Sequence, residues 1–208
     1  MQSLNYRLAE FFTLFIVFPI SLVLDYYIAI KIILGVIGFV YIVIVLLKIE
    51  KLHFGIRSNL NWSKFLKETA VKFLIITTLT VPYVFLVDRE NLFAVVINKP
   101  LLWLGILIVY TLFSVYPQEL IYRTFFFKRY QVLFKSEAIL IFINAIVFSL
   151  AHIFFRNTLV LVLTFIGGIL FAITYKTSKS TFLVSIEHAI YGCWLFTVGM
   201  GDMLGFPA

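Results

Sequence analysis

The chain alternates long apolar runs with short polar segments, and this alternation predicts about seven membrane-spanning helices. Several of the runs approach the ~20 apolar residues that cross a bilayer as a helix. The predicted spans are 8–27, 32–47, 71–87, 101–127, 138–155, 158–175 and 181–200. The basic segment 48–72 has room for an eighth helix, an amphipathic one on the membrane surface over 62–67. We therefore expect an all-α fold, a polytopic transmembrane helical bundle.

The composition agrees with this pattern. Hydrophobic residues make up 62% of the 208 residues and charged residues 13%, whereas a soluble domain is about half apolar. The single cysteine, Cys193, excludes an internal disulfide and a cysteine-based metal site. We see no internal repeat and expect one membrane domain over 1–208, with N-terminal spans in 1–100 and a C-terminal core in 101–200.

The basic residues predict the orientation and the partners. Cytoplasmic loops carry an excess of Lys and Arg. With the N-terminus inside and seven alternating spans, all 17 Lys and Arg fall on inner segments except Lys31, Arg89, Lys99 and Arg156. We expect a cytoplasmic N-terminus. Because the net charge of +7 comes from residues between spans, it indicates membrane lipids as partners and no nucleic acid.

Three short segments hold the strongly polar residues of the C-terminal half. The first, YPQELIYR at 116–123, places Glu119 and Arg123 four residues apart, one turn on a helix. The second, FSLAH, ends at His152, and the third, EHAIYG, contains His188. An ionisable residue at the centre of a membrane helix costs roughly 3 kcal/mol. Such residues therefore need a partner or a function.

A carboxylate and two imidazoles allow two hydrolytic schemes. Glu119, His152 and His188 could together bind a divalent metal such as zinc. Without any metal, Glu119 could act as general base on a water while a histidine stabilises the oxyanion. The residues leave both schemes open. In either scheme Arg123 would orient Glu119 or a substrate carboxylate.

Structural and transport roles are the alternatives. A single His in a span is often a helix–helix hydrogen-bonding residue, and a Glu–Arg pair near an interface can simply snorkel. A proton or ion path would also bury polar groups, but the short chain shows no inverted repeat. The occurrence of all these groups in three segments on three spans favours a hydrolytic site.

The order QExxxR, FxxxH and EHxxxG resembles the CAAX prenyl endopeptidase and bacteriocin-processing family, also labelled abortive-infection (Abi) proteins. That family's pattern is EExxxR, FxxxH and HxxxN/D on successive transmembrane helices, and the resemblance covers roughly 101–200. It implies an intramembrane endopeptidase of the bacterial inner membrane. The site would open to the cytoplasmic side and cleave a membrane-associated peptide or lipid-modified protein. Members have been described both as metalloproteases and as metal-independent, glutamate-dependent hydrolases.

Two positions depart from the family's pattern. The candidate catalytic residues are Glu119, His152 and His188, and the candidate supporting residues are Gln118, Arg123, Phe148, Glu187, Tyr191 and Gly192. Gln118 stands where the family has its first Glu, and Gly192 stands where Asn or Asp is expected. Since Gln cannot take a proton, either Glu119 or Glu187 is the base, or the chain is a catalytically inactive scaffold or immunity factor.

Overall fold

Seven helices in the structure are long and apolar enough to cross a membrane. The computed structural model describes residues 3–52 and 60–205, and every secondary-structure element in these two ranges is a helix. The spans are span 1 (Leu4–Ser21), span 2 (Ile28–Ile49), span 3 (Trp62–Val87), span 4 (Pro100–Leu133), span 5 (Glu137–Phe155), span 6 (Thr158–Ser178) and span 7 (Thr181–Val198). The predicted all-α, multi-pass membrane fold is confirmed. Part of the predicted basic loop, 53–59, lies outside the described residues.

Span 3 has the largest displacement of any single predicted boundary. It begins at Trp62 instead of residue 71, so the amphipathic segment 62–67 is the start of this span and not a separate surface helix. Asn61 caps the helix, because its side-chain oxygen accepts a hydrogen bond from the Lys64 N–H at 3.0 Å. No Gly or Pro interrupts the chain between this cap and the apolar run, so one helix continues through both.

Two spans leave α-helical geometry just before a proline. Span 1 is π-helical over Thr13–Val17, before Pro19, and span 4 is π-helical over Tyr110–Val115, before Pro117. A proline lacks the N–H for the regular bond, and its ring clashes with the carbonyl four residues earlier. That carbonyl lies inside the π-helical segment in both spans. The wider turns accommodate the proline without ending the helix.

The chain divides into two compact units, each built from two stretches of sequence. The first unit comprises Met1–Gly55 and Leu120–Ile173. Phe15, in the core of this unit, is 1% exposed. Its ring contacts the rings of Tyr122, Phe125, Phe126 and Tyr130. This cluster of aromatic side chains packs span 1 against the end of span 4.

The first unit also buries an ion-pair network. Arg129, which is fully buried, donates from Nε to Glu10 Oε2 at 2.7 Å and from Nη2 to Glu10 Oε1 at 3.1 Å. Its Nη1 donates to Glu50 Oε1 at 3.0 Å. The hydroxyls of Tyr130 and Tyr41 donate to the Glu10 carboxylate as well. Each charge in this network is therefore compensated by a partner within the unit.

The second unit comprises Ile56–Glu119 and Thr174–Ala208. Span 7 packs against span 3, where Trp194 Nε1 donates to Thr80 Oγ1 at 2.8 Å. Gly199 caps the C-terminus of span 7, and its φ of +105° belongs to the left-handed region. A Cβ there would lie 2.1 Å from the Asn91 carbonyl oxygen, so both the backbone conformation and the available space require glycine.

Candidate active site

A buried carboxylate–imidazole pair lies in the second unit. His188 Nδ1, on span 7, is 2.7 Å from Glu119 Oε1, on span 4. Glu119 is fully buried and His188 is 6% exposed. Because an ionised carboxylate can only accept hydrogen bonds, Nδ1 carries the proton and donates it. This bond fixes both the tautomer of His188 and the orientation of the Glu119 carboxylate.

The other ring nitrogen of His188 has a protein partner too. Its Nε2 lies 3.1 Å from the hydroxyl of Tyr110. With the proton on Nδ1, a neutral ring has its lone pair on Nε2, so the Tyr110 O–H is the donor. The Tyr110 ring packs edge-on against Phe196 of span 7. A continuous chain of hydrogen bonds therefore runs from Tyr110 through His188 to Glu119.

The π-helical segment explains how one span presents both Tyr110 and Glu119 to the same ring. These residues are nine positions apart, and at about 100° per residue an α-helix would point them about 180° apart. A π-helix has i→i+5 bonds and more residues per turn, so each residue turns by roughly 80°. The six π-helical residues Tyr110–Val115 reduce the angle to roughly 60–80°, and both side chains reach His188.

Glu187 belongs to a second buried cluster in the same unit. It is fully buried, and its Oε1 accepts from Lys72 Nζ at 2.7 Å and from the Tyr191 hydroxyl at 3.0 Å. Lys72 also donates to Thr174 Oγ1 at 3.1 Å, and Tyr191 to the Thr69 carbonyl at 3.3 Å. Since Lys72 is itself part of span 3, its charge compensates Glu187 inside the unit.

Two further candidate residues of this unit flank the Glu119–His188 pair. Gln118, next to Glu119, donates from its amide to Ser114 Oγ at 2.7 Å. Its own Oε1 is buried and has no hydrogen-bond partner among the described residues, and the same holds for Ser185 Oγ and Glu187 Oε2. Gly192 is buried one turn after His188 on span 7. Gln118 is thus held by span 4 itself, with one acceptor atom available.

Arg123 and Phe148 lie in the first unit, where they contact each other. Arg123 is fully buried, and its Nη1 donates to Asn144 Oδ1 at 2.9 Å. Its guanidinium lies over the Phe148 ring, 4.6 Å from the centroid. Asn144 in turn donates to the Tyr122 carbonyl at 2.6 Å. Phe148 therefore stabilises a buried cation by a cation–π contact.

His152 lies in the first unit as well, in the turn that follows the α-helical part of span 5. Its Nδ1 is 2.8 Å from the Phe148 carbonyl. A carbonyl can only accept, so Nδ1 donates and Nε2 is the acceptor nitrogen. Its ring stacks with Phe155. His152 and His188 thus adopt the same tautomer, each fixed by an oxygen acceptor at Nδ1.

The residues of the second unit do not fit a metal in this arrangement. Both ring nitrogens of His188 are hydrogen-bonded to protein atoms, so its lone pair is already engaged by Tyr110. Within either unit, no three His, Cys, Asp or Glu side chains among the described residues form a metal-binding group. A metal could take His188 as a ligand only if Tyr110 moved away.

Sequence reasoning missed Tyr110, Lys72 and Asn144. Tyr110 stands in an apolar run with no motif around it, and an α-helical phase would have placed it opposite Glu119. Lys72 resembled a loop residue, because span 3 starts earlier than its hydropathy suggests. Asn144 was detectable, since an amide in the middle of span 5 needs a partner.

Comparison with known proteins gives one match. A family model described as type II CAAX prenyl endopeptidase Rce1-like matches residues 100–194. The searches of curated proteins and of solved structures returned no match. The matched range begins at Pro100, the first residue of span 4, and contains all three polar motifs. Residues 100–194, somewhat under half of the chain, therefore resemble the Rce1-like family of type II CAAX prenyl endopeptidases, in agreement with the resemblance that the motifs predicted.

Proposed function

We propose that this chain is an intramembrane endopeptidase that hydrolyses a membrane-proximal peptide bond. The family match supports CAAX-type intramembrane protease activity in general. The observation that carries the specific proposal is the buried hydrogen bond of 2.7 Å between Glu119 and His188. It joins residues from two of the three motifs, in a place where an unpartnered carboxylate would be costly.

Glu119 is the proposed general base. Each carboxylate oxygen can accept two hydrogen bonds, so Glu119 can receive the His188 N–H and still take a proton from water. The water oxygen then bonds to the scissile carbonyl carbon. The C–N bond breaks, and the proton passes from Glu119 to the leaving amine. His188 holds the carboxylate in position throughout.

His152 is the proposed second catalytic histidine, on the strength of its match to the family's second motif. Its Nδ1 donates to the Phe148 carbonyl, so Nε2 is the nitrogen that carries the lone pair. That nitrogen can accept a hydrogen bond from a water and, once protonated, can donate one to an oxyanion. Arg123 is the proposed supporting cation.

The test is cleavage of a fluorescence-quenched farnesylated CAAX peptide by the protein in proteoliposomes, beside the same peptide without farnesyl. Glu119→Gln should lower kcat by about 10²–10⁴-fold, because the amide can accept the His188 N–H but cannot take a proton. His188→Ala and His152→Ala should also abolish cleavage. Glu68→Gln, at an exposed position of span 3, is the matched control. Full cleavage by the Glu119→Gln variant would disprove the assignment.

A second candidate function is a non-catalytic family member that acts as a membrane scaffold or immunity factor. Gln118 favours it, because its amide is tied to Ser114 and it stands where the family has a glutamate. If the wild-type protein cleaves neither peptide and Gln118→Glu creates cleavage, this candidate replaces the first. If the wild-type protein cleaves either peptide, this candidate is wrong.

A further inference from the structure

We propose that Tyr110 is a positioning residue of this site, and that its hydroxyl serves His188 in place of a side chain at position 192. The hydrogen bond from Tyr110 to His188 Nε2, 3.1 Å long, is a feature of the fold. Its effect on catalysis rests on the proposed function above.

Tyr110 and a side chain at position 192 exclude each other. A Cβ at Gly192 would lie 2.1 Å from the Tyr110 hydroxyl oxygen and 2.5 Å from two carbons of its ring. The backbone does not require glycine there, because Gly192 lies inside span 7 and has no positive φ. Glycine in a helix interior is otherwise unfavourable. The space that Tyr110 occupies is therefore the reason for glycine at this position.

The same space is where a polar side chain at 192 would meet the histidine. His188 and Gly192 are four residues apart and lie on one face of span 7. Tyr110 enters this space from span 4 and brings a hydroxyl to Nε2. The polar group that holds the His188 ring at Nε2 therefore comes from span 4 and not from position 192 of span 7.

Holding both nitrogens restrains the ring more than holding one. Glu119 accepts from Nδ1 and Tyr110 donates to Nε2, so rotation of the imidazole breaks two hydrogen bonds. A rigid His188 keeps the Glu119 carboxylate in one orientation, and such supporting bonds commonly set the efficiency of a site. Tyr110 touches neither the attacking water nor the peptide in this scheme.

The first experiment reads the hydrogen bond directly and needs no substrate. The chain has three histidines, so ¹⁵N-histidine labelling in detergent micelles gives three imidazoles, assigned with His53→Ala and His152→Ala. In Tyr110→Phe, we expect the His188 Nε2 resonance to move to the position of a nitrogen that accepts no hydrogen bond. Tyr116→Phe, at a 41% exposed position of the same span, should leave it in place. An unchanged His188 resonance in Tyr110→Phe would overturn the proposal.

The second experiment tests the steric exchange by thermal unfolding. Gly192→Ala should lower Tm in the wild-type background and should not lower it in a Tyr110→Ala background, where the space is open and alanine favours the helix. Gly105→Ala on span 4 is the control, since a Cβ there meets nothing within 4 Å. An equal loss of Tm in both backgrounds would show that Tyr110 is not the reason for Gly192.

The third experiment uses peptide cleavage. Tyr110→Phe should lower kcat about tenfold with KM unchanged, and Tyr110→Ala/Gly192→Asn should recover activity relative to Tyr110→Ala. An unchanged kcat beside a shifted His188 resonance would overturn the positioning role. If the wild-type protein cleaves no peptide, the proposed function fails, while the resonance and the Tm values still decide whether Tyr110 serves His188.

Discussion

At the scale of single residues, the main feature is a set of fully buried charged side chains. Glu119, Glu187, Arg123 and Arg129 are all 0% exposed. A charge in a low-dielectric interior is tolerated when it is paired and hydrogen-bonded. Each of these four is hydrogen-bonded: Glu187 and Arg129 to an oppositely charged side chain, and Glu119 and Arg123 to a polar one. These bonds specify which spans meet, because a mismatched span would leave a buried charge without its hydrogen-bond partner.

The Glu10–Arg129 pair gives a stability prediction. Glu10→Ala removes the carboxylate that accepts from Arg129, Tyr130 and Tyr41, and leaves a fully buried guanidinium with Glu50 alone. We expect a loss of about 3–5 kcal/mol in the free energy of unfolding, as for other broken buried pairs. Equilibrium unfolding of the wild type and the variant in detergent measures this loss of free energy.

The control is an exposed pair of the same type. Lys64 and Glu68 lie 3.8 Å apart with side chains 62% and 51% exposed. Glu68→Ala should cost at most about 0.5 kcal/mol, since solvent screens such pairs. Equal losses for the two variants would mean that the buried network does not stabilise the first unit.

At the scale of secondary-structure elements, the π-helical segments set the direction of side chains along a span. Hydropathy assigns a residue to a span but assumes one angular period. The segment Tyr110–Val115 changes that period, and it places Tyr110 on the Glu119 side of span 4. Pro117 follows this segment, and its ring would clash with the carbonyl four residues earlier in a regular α-helical turn, which favours the wider π-helical turns here.

We predict that Pro117→Ala changes the helical geometry of span 4. Alanine restores the backbone donor and removes the clash, so 110–119 should approach regular α-helical geometry. The Tyr110 side chain would turn away from the Glu119 side of span 4 and lose its hydrogen bond to His188. We expect the His188 Nε2 resonance to shift as in Tyr110→Phe.

Pro82→Ala is the matched control for this change. Pro82 lies inside the α-helix of span 3, which has no π-helical segment. We expect this variant to leave the His188 resonance in place. A Pro117→Ala spectrum identical to that of the wild type would show that packing alone, without the proline, maintains the π-helical segment.

At the scale of the whole molecule, seven spans and the family match make this a multi-pass membrane protein. The distribution of Lys and Arg predicts its orientation, with the N-terminus in the cytoplasm. The resemblance favours the inner membrane of a bacterium. The same orientation would put the turn between spans 4 and 5 inside and the segment between spans 3 and 4 outside.

Cysteine labelling tests this orientation. In a Cys193→Ser background, Glu90→Cys and Lys135→Cys each place one thiol at an exposed position. A membrane-impermeant maleimide added to intact cells should label Glu90→Cys. It should reach Lys135→Cys only after permeabilisation. The reverse pattern would invert the predicted topology.

The sequence by itself determined the class of the protein, its seven spans and its three polar motifs. These depend on local properties, because roughly 20 apolar residues cross a bilayer wherever their neighbours lie. The polarity of Gln118, Glu119, His152 and His188 also stood out from the apolar runs around them. The family resemblance followed from the order of these motifs, which needs no three-dimensional information.

The tertiary structure alone decided which side chains meet. Glu119 contacts His188 across 69 residues of sequence, and Lys72 contacts Glu187 across 115. Such pairs depend on which helices are neighbours and on the rotation of each helix about its axis. For Tyr110, that rotation is set by a π-helical segment that hydropathy does not register. The reason for glycine at position 192 therefore appears only when spans 4 and 7 are seen packed together.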